Sequence, residues 1–165
     1  MLYLQHNLRK MGVFKLQLED FNTTKFELIA IHTTIEVTKL AFLLNKKLHS
    51  RFHYFDAIEK KEKKRKGSFE RYFFDDEENE ICWNLLQNKS IINGGGFDDV
   101  FLNQFGQIMH LIPEFNKADY ILKIETEDGF FDINEILQKI SKIKTITLSY
   151  KIDKTKIKTI SNLIF

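Results

Sequence analysis

The sequence predicts an α+β fold: a two-layer sandwich whose mainly antiparallel sheet carries two β-α-β units, ferredoxin-like at its base, with an inserted meander. Three patterns in the 165 residues predict it. Two amphipathic helical stripes each stand between strand-like runs. Three further strand-like runs lie between those units, joined by polar links. A single proline and 43% hydrophobic residues leave few breaks and enough apolar surface for an ordinary core; a chain of this length hides about 70% of its unfolded surface on folding. One domain is expected over 11–165. Residues 1–10 are expected to be a poorly packed arm or an upstream start, because strand alternation begins only after Met11.

The first strand is VFKLQL, with Phe14, Leu16 and Leu18 on one face and Lys15 and Gln17 on the other. FELIAIH, residues 26–32, is apolar on both faces and predicts a central strand. Thr33 and Glu36 then have capping-box spacing, and Val37, Leu40, Ala41, Leu44 and Leu48 make the buried stripe of a helix ending near Leu48. RFHYF, SFERYFF and ICWNLL predict the meander, with DAIEKKEKKRKG and DDEENE as its solvated links. SIINGGGFDDVFLNQFG has no clean period; Gly94, Gly95 and Gly96 make it a loop, without the Gly-Lys-Ser/Thr ending of a phosphate loop. QIMHLI is a strand. ADYILKIE alternates, with Tyr120, Leu122 and Ile124 opposite Asp119, Ile121, Lys123 and Glu125. Asp132 and Glu135 repeat the capping-box spacing before a stripe of Ile133, Ile136, Leu137, Ile140 and Ile143. TITLSYKI places Ile146, Leu148, Tyr150 and Ile152 inward. The apolar end, NLIF, is expected to dock.

Charge and motif content narrow the function classes. A net charge of +2 drives neither nucleic-acid nor membrane binding globally, and no apolar run reaches the about 20 residues of a membrane helix. One cysteine, Cys82, leaves no internal disulfide, and no activating neighbour marks it as a nucleophile; a reducing cytoplasm is the expected compartment. His49 and His53 are four apart, but the helix is expected to end between them. His32, before a helix N-terminus, reads as a polar cap satisfied by the backbone or as a ligand-orienting group. No HExxH, CxxC or nucleophile elbow occurs. No enzyme, metal site or cofactor is predicted.

Local charge says more. Lys60, Lys61, Lys63, Lys64, Arg65 and Lys66 cluster in one link, and Asp75, Asp76, Glu77, Glu78 and Glu80 in the next. One strand separates them, so the two tips are expected at opposite poles of the sheet, beyond the roughly 8 Å Debye length at physiological salt. The basic tip can grip phosphates or an acidic protein such as a carrier protein. Phe69 and Tyr72, nearby, have the chemistry to stack on bases, although their alternation turns at least one of them to the core.

The only proline opens LIPEFNKADY. Pro113 cannot donate within a central ladder and suits a turn start. Asn116 tolerates a left-handed conformation, Lys117 keeps the tip soluble, and Glu114 can accept backbone N–H bonds across the turn. A hairpin between QIMHLI and ADYILKIE is expected; the functional alternative pairs the carboxylates of Glu114 and Asp119. The segment resembles the signature of the bacterial IPExxVDY family through Ile112, Pro113, Glu114, Asp119 and Tyr120. It has one extra residue among Phe115, Asn116 and Lys117, and Ala118 in place of Val. FELIAIHTT, LAFLLNK, ICWNLLQNK and NLIF are similar to the family too. The resemblance implies no assigned activity and no catalytic residues, with gene neighbours for acyl carrier protein, fatty-acid condensation and a double-strand ribonuclease.

Three readings follow. The first is a non-catalytic interaction or adaptor domain with an unknown protein partner. The second is an RNA-associated factor using the 60–66 turn. The third is a small-ligand-binding regulatory domain.

Overall fold

The computed structural model describes residues 25–63, 65–92, 107–127 and 130–165. The expectations for the arm at 1–10, the strand at 13–18, Lys64 of the basic link and the glycine loop at 94–96 lie outside those residues. The described elements run β1 (Lys25–Thr33), α1 (Val37–Leu48), β2 (His53–Glu62), β3 (Arg65–Asp76), β4 (Ile81–Gln87), β5 (Lys89–Ile92), β6 (Gln107–His110), β7 (Tyr120–Thr126), α2 (Ile133–Ser141) and β8 (Ile146–Lys151). Six strands form one sheet in the order β2-β3-β4-β7-β1-β8, and β5 and β6 pair separately. Every pairing is antiparallel, so β2, β4 and β1 run one way and β3, β7 and β8 the other. Each helix therefore links two strands of the same direction that are not neighbours.

Both faces of the central strands are buried. Ile29, Ile31, Trp83, Leu85, Leu122 and Ile124 meet Leu40, Leu44, Ile136 and Ile140 of the helices. On the far face, Leu28, Ala30, Leu86, Phe69 and Ile121 meet Ile92, Met109, Ile157 and Leu163. That second apolar packing adds a layer, made by β5, β6 and the C-terminal segment, to the two the sequence predicted. The unbroken apolar run of β1 reports burial on both faces, whereas β7, which alternates in sequence, is nonetheless buried on both. The predicted faces of β7 are right, but Lys123, on the far face, is buried as well.

The two helix starts differ. Asp132 caps α2, accepting from the N–H of Asn134 at 2.8 Å and of Glu135 at 3.4 Å. The predicted Thr33 cap does not form: Glu36 is the cap residue, with no side-chain bond. The Thr33 hydroxyl instead donates to Thr145 O at 2.7 Å, because β8 pairs alongside and competes for it. α1 ends as predicted, with His49 left-handed at φ 55°, and Leu48 is only partly buried. Leu148, predicted inward, is 52% exposed. The pairing of β1 with β8 slips a residue between His32 and Thr33. That slip puts Ile146 on the helix side while Tyr150 packs on the far side.

The largest departure is the basic link. It was expected to be a long solvated loop, but it is mostly ladder, with Glu59 opposite Ser68, Lys61 opposite Lys66 and Glu62 opposite Arg65. β3 pairs with β4 only over Arg71–Asp76, so the outer half of the β2–β3 hairpin projects as an arm. β5 and β6 support it. Ser68 N–H donates to Ser90 Oγ at 3.0 Å. Gly67 packs so close to β6 that a Cβ there would stand 2.7 Å from Met109 Sδ. No helix among the described residues is long and apolar enough to cross a membrane.

The last four residues dock mainly through Leu163, with Asn162 donating to Leu111 O at 2.7 Å and the Phe165 ring over Arg71 and Lys123. Leu163 is 1% exposed, whereas Ile164 is 70% exposed. The Leu163 carbonyl accepts from the buried Lys123 ammonium at 2.8 Å. Deleting residues 162–165 removes that leucine and one bond of the buried amine, and is expected to cost about 3 kcal/mol. Urea melts measure it, and unchanged stability would refute docking.

Candidate functional site

The proline turn is built around Asn88, the residue between β4 and β5. Its side chain is fully buried. Its amide donates to Phe115 O at 2.9 Å and Ala118 O at 3.0 Å, and its carbonyl accepts from Ile112 N–H at 2.9 Å. Its backbone joins the same segment, N–H to Asp119 O at 2.9 Å and C=O from Leu111 N–H at 3.0 Å. Pro113 sits at the start of a 3-10 turn over Pro113–Phe115, where its missing N–H costs nothing. Asn116, which can tolerate a left-handed conformation, is right-handed at φ −58°; the 3-10 turn supplies the reversal. Nor is this a hairpin: β6 pairs with β5 and β7 with β4 and β1, so the turn carries the chain from one sheet to the other.

The two signature carboxylates are committed to different segments. Glu114 does not bond across its own turn as expected. It accepts from the N–H groups of Lys158 and Thr159 at 2.7 and 3.0 Å and from the Thr159 hydroxyl at 2.8 Å. Partial burial pushes its pKa up, but these bonds and its own backbone outweigh that and leave it lowered. Asp119 accepts from Thr33 N–H at 2.9 Å and pairs with Lys89 at 2.6 Å. Tyr120 donates to Ile35 O at 2.8 Å, and burial, with Asp119 nearby, pushes its hydroxyl up to about 12. Ile112 is fully buried. The signature residues thus tie β1, β5 and the C-terminal segment together.

Cys82 and Lys123 are occupied in the same way. Cys82 donates to Asp75 at 3.6 Å, and burial with that carboxylate pushes its thiol up to about 11, away from a thiolate. His110 has its pKa lowered by burial and then by the cation of Lys89. Among the described residues, the buried His32 Nε2 has no hydrogen-bond partner, so the satisfied cap is not seen there; its ring lies 5.7 Å from that of Tyr150. Lys123, beside Leu163 O, pairs with Glu125 at 2.6 Å and lies under the Phe165 ring at 4.9 Å. Among the described residues, no three His, Cys, Asp or Glu side chains converge as metal ligands.

The charged tips sit at opposite ends of β3, whose 12 residues span about 40 Å. The basic tip is less uniform than its sequence. Lys60 donates to His110 O at 3.0 Å and pairs with Glu62 at 2.9 Å; Lys66 pairs with Glu59 at 2.7 Å. Lys61, Lys63 and Arg65 stay exposed. Phe69 and Tyr72 are both buried, on opposite faces, which removes both from any base-stacking role. At the other end of the hairpin, Phe55 and Phe73 pack 5.4 Å apart, and Arg71, held bidentately by Asp56 at 2.7 and 3.1 Å, lies 4.5 Å from the Phe55 ring and 4.4 Å from that of Phe165. An open cleft of about 520 Å³ lies elsewhere, between Phe26, Phe131 and Lys154, and no signature residue lines it.

Sequence reasoning passed over Asn88 and Lys123. The signal for Asn88 was a polar residue directly after a nearly all-buried strand; for Lys123, a lone charge inside an apolar run. No family model, curated protein or solved structure matches this chain.

Replacing Asn88 with Ala orphans the Ala118 carbonyl and the Ile112 N–H, leaves the Phe115 carbonyl only its bond from Ala118 N–H, and is expected to cost about 3 kcal/mol; denaturant melts at neutral pH read it. Glu114→Ala is expected to cost about 2 kcal/mol and to change the pH profile. A carboxylate with a lowered folded pKa gives stability that is present above its unfolded pKa of 4.5 and lost as pH falls through the folded value. His110, also lowered, loses stability as pH falls below 6.5, where only the unfolded form is readily protonated. Melts of the Glu114→Ala variant should flatten the lower window and keep the upper one. A profile unchanged in both would contradict the clasp.

Proposed function

We propose that this chain is a non-catalytic interaction domain that meets a partner protein through the β2–β3 hairpin. The observation that carries the reading is the contrast between interior and hairpin. Glu114, Asp119, Asn88 and Lys123 are consumed by structural bonds, while Lys61, Lys63 and Arg65 stand exposed on a projecting arm. The strand order β4-β7-β1-β8, with both helices on one face, supports a ferredoxin-like base to which the hairpin is added. The IPExxVDY resemblance fits the same reading, its signature serving as the corner that holds the layers together. A cytoplasmic location suits the single cysteine, and an acyl carrier protein is one acidic partner the arm would suit.

The exposed arm cations also favour a second reading, an RNA-associated factor. One set of experiments separates the two. Affinity capture from the native host with wild type and with Lys61→Ser/Lys63→Ser/Arg65→Ser should recover a salt-labile protein that the variant loses. A partner held equally by the variant would move the contact off the arm. For RNA, the gel shift should be salt-sensitive and vanish in the variant; binding that persists unchanged rejects that site.

A further inference from the structure

Among the described residues, β2 is the outer strand at one end of the sheet. It is ten residues long, and Tyr54 and Phe55 are 53% and 52% exposed upon it. A long outer strand bearing exposed aromatics is a template for another strand. Its two ends carry opposite charge. Near Glu62 stand the exposed Lys61, Lys63 and Arg65, and beside His53 lies the turn carrying Asp75, Asp76, Glu77, Glu78 and Glu80. Among the described residues, none of these eight side chains makes an ion pair. They are about 40 Å apart along β3, so salt prevents one pole from neutralising the other within a chain.

That layout is self-complementary in one orientation. A second copy pairing parallel to β2 would set like poles together. A copy pairing antiparallel sets residue 53 of one strand toward residue 62 of the other, and so sets basic tip against acidic turn twice over. Such a contact is isologous and closes after two copies. β8, the outer strand at the other end of the sheet, has no comparable pair of poles.

We propose that two copies of this chain pair through β2, antiparallel about a two-fold axis, into one continuous sheet with each basic hairpin tip against the other copy's acidic turn. This rests on the interaction-domain reading and names a second copy as a partner.

Sedimentation velocity of the full chain tests it. The wild type should dimerise, with a Kd at least tenfold weaker at 500 mM than at 50 mM salt. Lys61→Glu/Lys63→Glu/Arg65→Glu should be monomeric, as should Glu77→Lys/Glu78→Lys, each with a wild-type melting curve to establish folding. An equimolar mixture of the two variants should restore a dimer, because the reversed poles again match. Phe55→Lys, on the strand itself, should also weaken the dimer. A wild type that stays monomeric at the highest concentration, or a dimer that neither salt nor these variants weaken, overturns the proposal. A monomer that still captures a salt-labile partner in the lysate experiment defeats self-pairing alone. A dimer with no captured protein defeats only the hetero-partner reading.

Discussion

The fold turns on a buried amide. Where β4 ends, Asn88 uses both donors and its acceptor on the proline turn, and its backbone bonds the same segment on either side. Inside a protein such a group is favourable only when every partner is present. Once it is satisfied, the corner fixes where β5 leaves the main sheet, where β7 enters it, and where Glu114 and Asp119 point. Glu114 then holds the segment that delivers Leu163 to the far face, and Asp119 holds the end of β1 through Thr33. A proline motif that invites a functional interpretation is thereby accounted for as the joint between two sheets.

Burying the sheet on both faces has a consequence for charge. Lys123 lies within the far layer, where an unpaired amine would be costly, and it is held by Leu163 O, Glu125 and the Phe165 ring. That buried amine is thus fully engaged, whereas Lys61, Lys63 and Arg65 stand exposed on the hairpin. The arm is stiffened by close packing of Gly67 against Met109 and by the Ser68–Ser90 bond. That makes it a rigid presenter of its tip rather than a loose loop.

Much of this was legible in the residues. The apolar run of β1, the two faces of β7, the stripe and Asp132 cap of α2, and the placement of opposite charges about one strand follow from periodicity and turn chemistry. The failures have physical causes. Alternation cannot distinguish a charged strand from a charged loop, so 56–67 reads as a link, although the cross-strand Lys66–Glu59 pair and the Lys60–Glu62 pair along β2 suit a ladder. A one-residue slip at Thr33 reverses Leu148 without a trace in the sequence. The Thr33 cap lost to a strand more than a hundred residues away, and the partners of Glu114 and Asn88 are likewise distant in the chain. Local patterns determine elements; the site depends on which elements meet.

Native-state hydrogen exchange tests the account at its centre. If the Asn88 corner is integral to the fold, the amides of Leu111 and Ile112, which bond its main-chain and side-chain carbonyls, should open only with global unfolding, at the same free energy as Leu85 and Leu122. Exchange of those two amides at the rate of a solvent-exposed loop, while the sheet stays protected, would contradict it.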